Sequence, residues 1–81
     1  MDQDAVSVEF VKTELQTGIT FADLALSAKC AEKLERNKAS ARKARDTALR
    51  FWNKLTSEDA AELDAILKRL RRKLRDLGEF V

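Results

Sequence analysis

Residues 57–78 read SEDAAELDAILKRLRRKLRDLG, and within them Leu63, Leu67, Leu70, Leu74 and Leu77 recur at alternating steps of four and three. That spacing gathers the leucines on one side of a helix, because about 3.6 residues complete a turn. Thr56 and Ser57 supply hydroxyls for an N-cap, Glu58 and Asp59 put negative charge in the first turn, and Gly78 stands where a helix ends. The stretch predicts a helix over residues 57–77, with Ala60 and Ile66 joining the leucines inward.

Upstream, Ala41, Ala44 and Ala48 mark a face of small residues that Phe51, Trp52 and Leu55 continue. Arg42, Asp46 and Arg50 form an i, i+4 charge ladder on the outer side, and a helix over 38–55 follows. Residues 30–37 lose this periodicity apart from Leu34, which places a connection there with Asn37 as the cap of the second helix. Before it, Val8, Val11, Leu15, Gly18, Ala22 and Ala25 keep a three-four rhythm beside a second stripe of Phe10, Phe21, Leu24 and Ala28. Together they describe a helix over 5–29 with a wide apolar face. Thr20 and Asp23 offer a second start after Gly18, so this segment is one helix of about seven turns or two short ones. Both stripes hold their phase through the glycine, which favours one helix and gives Gly18 the role of letting a neighbour approach closely. Short connections make neighbouring helices antiparallel, and the expected architecture is an all-α, up-down-up bundle of three helices in a single domain, 1–81.

Gly18-x-x-Phe21 in the first helix and Ala41-x-x-Ala44-x-x-x-Ala48-Leu49 in the second resemble the small-residue contacts of tetratricopeptide-repeat hairpins, over about residues 14–55. With the third helix added, the layout is also similar to microtubule-interacting-and-transport domains. The resemblance implies a protein-interaction module that receives peptides or helices in interhelical grooves.

Composition narrows the chemistry. The chain has 81 residues, 37% charged and 44% hydrophobic, with no proline, histidine or tyrosine. Losing histidine removes the usual general base near neutral pH and the commonest metal ligand, and no glycine-rich loop precedes a helix to cradle phosphate. Glu58 and Glu62 stand at metal-bridging spacing, but capping and dipole complementarity account for the same acids. No enzyme activity, cofactor or metal is expected. No apolar run is long enough to cross a bilayer and the start of the chain is acidic, so the expected setting is cytoplasmic. Cys30 is the sole cysteine and is expected to be a partly buried structural thiol.

Charge is unevenly spread: residues 1–28 sum to −4, residues 29–55 to +6, and the remainder to zero, for a net charge of +2. Arg36, Lys38, Arg42, Lys43 and Arg45 form one basic group, and Lys68, Arg69, Arg71, Arg72, Lys73 and Arg75 a second. If both faced one way, nucleic-acid contact would follow from phosphate neutralisation, although no aromatic side chains interleave them for base stacking. With Leu70 and Leu74 buried, the second group is also a simple solvated face. The competing use of the third helix is a seam with another chain, made of Trp52, Ile66, Leu70, Leu74, Leu77 and Phe80. The leading expectation is thus a non-enzymatic module for protein–protein interaction or homodimer formation, with nucleic-acid binding as the alternative and no membrane partner.

Overall fold

The computed structural model describes residues 8–79, which form α1 (Val8–Leu26), α2 (Ala31–Arg50), a single 3-10 turn (Trp52–Lys54) and α3 (Ser57–Asp76). These helices pack together without a strand among the described residues. Three contacts fix their directions. Phe10 near the start of α1 meets Phe51 just after α2, Gly18 in mid-α1 meets Ala44 and Leu70, and Asp23 near the end of α1 meets Lys73 near the end of α3. α2 therefore runs against α1 and α3 runs with it, giving the up-down-up order. α1 is the middle partner: it shares most surface with α2 and less with α3, while α2 and α3 touch least.

The core follows the periodicities. Val11, Leu15, Ala22, Ala41, Ala48, Leu70 and Leu74 have no solvent exposure, and Leu63 and Leu67 almost none. α1 is continuous through Gly18, and Thr20 does not start a helix, because its hydroxyl donates back to the Gln16 carbonyl at 3.1 Å. A Cβ placed on Gly18 would lie 2.7 Å from Leu70 Cδ2 and 3.3 Å from Ala44 Cβ. Gly18 thus sits where the three helices meet, and the missing methyl is what lets a leucine of α3 fill the gap.

The ends of α3 follow the sequence closely. The Thr56 hydroxyl accepts from the Asp59 amide at 3.1 Å, satisfying one of the free donors of the first turn. At the other end Gly78 takes φ +91°, its amide donates to the Arg75 carbonyl, and the Glu79 amide donates to that of Leu74. This is a Schellman ending, which favours glycine at the left-handed position.

Elsewhere the boundaries move. The 30–37 connection is instead the first two turns of α2, and Asn37 lies within the helix, half-buried, rather than capping it. Cys30 occupies the N-cap with extended backbone and no side-chain hydrogen bond, and it is exposed rather than a partly buried thiol. Ala31-Glu32-Lys33-Leu34-Glu35-Arg36 is made of good helix formers, and Glu32–Arg36 and Glu35–Lys38 pairs at 3.4 Å line its solvated side. Apolar periodicity fades there because most of this segment faces water, with Leu34 half-buried. The actual break lies at 27–30, where the Ser27 hydroxyl donates to the carbonyls of Asp23 and Leu24. The Ser27 amide still donates to the Asp23 carbonyl, but the Ala28 amide donates to Ala25 in a tighter turn, and α1 stops at Leu26 rather than 29. α2 ends at Arg50 rather than 55, and the tighter 3-10 turn sets Phe51 and Trp52 half-buried against the core. The expected start of α1 before Val8, and Phe80 and Val81, lie outside the described residues.

Candidate interaction surfaces

The two basic groups differ in how much of their charge is spent. In α2, Arg36 pairs with Glu32, Lys38 with Glu35, Arg42 with Glu79 at 2.6 Å, and Arg45 with Asp46 at 3.0 Å. Lys38 and Arg45 are also largely covered. Lys43 is exposed and lines a groove between α1 and α2. The group forms no continuous cationic face.

In α3 the outcome is different. Lys73 is drawn to Asp23 of α1 at 2.6 Å and Lys68 to Asp64 at 2.9 Å. Among the described residues no ion pair reaches Arg69, Arg71, Arg72 or Arg75. Lys68, Arg71, Arg72 and Arg75 line one open concavity of about 330 Å³. Their i, i+3, i+4, i+7 spacing sets them along one flank of α3, with Arg71 bordering the buried row of Leu67, Leu70 and Leu74 and Arg72 farthest from it. Arg71 is half-buried, and its shielded Nε has no hydrogen-bond partner.

Of the seam residues, Leu70 and Leu74 are wholly inside, and Trp52, Ile66 and Leu77 are partly buried against the core. Phe80 lies outside the described residues. The leucine side of α3 is largely consumed by α1 and α2 of its own chain. What stays partly uncovered on α1 is Phe10 and Leu24 of its second stripe, together with Leu26 at its last position on another side. Phe10 is 43% exposed and Leu24 48% exposed, whereas Phe21 is half-buried. Between α1 and α2 runs an open groove of about 250 Å³ lined by Glu14, Thr17, Phe21, Ser40, Lys43, Ala44 and Thr47, with no residue of α3 in its walls. One end of this face is closed by Phe10 and Phe51, stacked edge to face with ring centroids 5.6 Å apart.

The signal for this face was present in the sequence as the width of the apolar arc on α1. Two neighbours in a bundle need one stripe of about 100°, and a second stripe beside it is surplus. Among the described residues no cluster of three or more acidic, cysteine or histidine side chains is placed to hold a metal, and no helix is long and apolar enough to cross a membrane. No family model, curated protein or solved structure matches the chain.

Proposed function

We propose that this chain is a non-enzymatic, self-associating helical module in which a second copy packs on the α1–α2 groove. The observation that carries the reading is the apolar stripe of α1 left partly uncovered after the leucines of α3 have been used internally. The occupant is argued from the stripe's own symmetry. Phe10 and Leu24 lie seven residues to either side of Thr17, with Glu14 and Phe21 between. Two copies of α1 laid antiparallel across Thr17 bring Phe10 of one against Leu24 of the other, twice, over about 21 Å of helix. Thr17 is small enough to sit at the crossing, and Glu14 and Lys43, on opposite walls of the groove, offer complementary charges to the second copy.

The groove lies beside the same Gly18, Phe21 and Ala44 contacts that resemble tetratricopeptide-repeat and microtubule-interacting-and-transport hairpins, and its use as a docking face is part of the proposal. So is a cytoplasmic setting, which suits an exposed free thiol such as Cys30.

Sedimentation velocity from micromolar to millimolar chain, under reductant so that Cys30 cannot cross-link, tests the reading. A concentration-dependent monomer–dimer shift is expected. Leu24→Asp should leave helicity intact, because Leu24 is half in water already, and should hold the chain monomeric. A strict monomer at every concentration, or a dimer indifferent to Leu24→Asp, overturns it.

A further inference from the structure

A second surface, independent of self-association, is the cationic side of α3. We propose that Lys68, Arg71, Arg72 and Arg75 form a binding face for the phosphate backbone of double-stranded nucleic acid, engaged without reading sequence.

The argument begins with what lines the concavity, which is lysine and arginine alone. A protein partner needs an apolar centre to its interface, and a membrane-bound helix needs an apolar face to insert. This face offers neither, since the apolar residues of α3 are turned into the core. Recognition here has to rest on charge. Charge density then separates the remaining polyanions. Four cations fall within eight residues, about 12 Å of helix axis, or one for each ~3 Å. Duplex DNA carries one negative charge per about 1.7 Å and can meet every one of them. An acidic helix sets about one or two carboxylates per turn along one face, one per about 2.7–5.4 Å, so only its densest form keeps pace with these cations, whereas every duplex does so whatever its sequence.

The arginines are also ready to be used. Arg71, Arg72 and Arg75 have no ion pair among the described residues to give up, and only Lys68 must exchange Asp64 for a phosphate. Arg71 Nε makes no hydrogen bond, so drawing this guanidinium to a phosphate oxygen breaks none at that atom. Planar guanidinium groups suit phosphate geometry better than ammonium groups do. No aromatic side chain lines the face, so base stacking on a single strand is not provided for and the contacts stay with the backbone.

Fluorescence anisotropy of the full chain with a labelled mixed-sequence duplex, between about 50 and 200 mM salt, tests this. The expected log–log slope of affinity against salt is about −3, from three to four neutralised phosphates. Duplexes of different sequence should bind alike. Arg72→Ala with Arg75→Ala should weaken binding at least about tenfold at low salt and reduce the slope by about two, while circular dichroism shows the helices unchanged. Arg72→Lys with Arg75→Lys should restore most of the slope. The proposal is overturned by no salt-dependent binding at low ionic strength, or by an unchanged slope in the double alanine chain. Tighter binding to poly-glutamate, or to phosphatidylserine vesicles, than to duplex at matched charge also overturns it.

Discussion

Gly18 is the residue on which the packing turns. Alanine there gains about 1 kcal/mol of helix propensity, yet its Cβ would stand 2.7 Å from a methyl of Leu70, which is fully enclosed and has little room to yield. Overpacking of this kind costs about 1–3 kcal/mol, so Gly18→Ala is expected to lower stability by about 1 kcal/mol in urea unfolding. The cause can be isolated by shortening the opposing side chain. In a Leu70→Val background the clash is relieved, and Gly18→Ala should then be neutral or stabilising. A penalty of equal size in both backgrounds would show that close approach of α3 is not why glycine stands at this position.

At the scale of the elements, α3 is the helix most completely specified by local chemistry. Its leucine spacing, Thr56 cap, acidic first turn and Gly78 ending point to one set of boundaries, and the structure has those boundaries within one residue. Thr56→Ala should therefore cost about 1 kcal/mol, through loss of the bond accepted from the Asp59 amide, while Thr56→Ser should cost little. Equal stability of the alanine and serine chains would mean that the cap contributes nothing. α2 was less legible for a physical reason: its first two turns lie mostly in water, so the apolar pattern that reveals a packed helix is thin there, and Glu32–Arg36 pairing carries no such signature. The break at 27–30 was equally hidden, because Ser27-Ala28-Lys29 holds neither glycine nor proline and reads in sequence like further helix. The candidate sites divide in the same way. The α3 cations were visible as a run, but which of them stay unpaired depends on Asp23, fifty residues away, reaching Lys73.

For the whole molecule, an elongated shape of 45 × 21 × 17 Å gives the helices long flanks relative to the volume of core. The two proposed surfaces occupy different flanks: the groove belongs to α1 and α2, the cationic face to α3, and no residue lines both. That separation makes the whole-molecule prediction a crossed one. Leu24→Asp should abolish the concentration-dependent sedimentation shift while the slope for duplex binding per chain stays near −3, since the neutralised phosphates are contacted by α3 alone. Arg72→Ala with Arg75→Ala should do the reverse, losing the slope while sedimenting as the unmodified chain does. If Leu24→Asp instead lowered the slope per chain, duplex binding would require the dimer, and the cationic face would be a composite of two copies rather than a property of one α3.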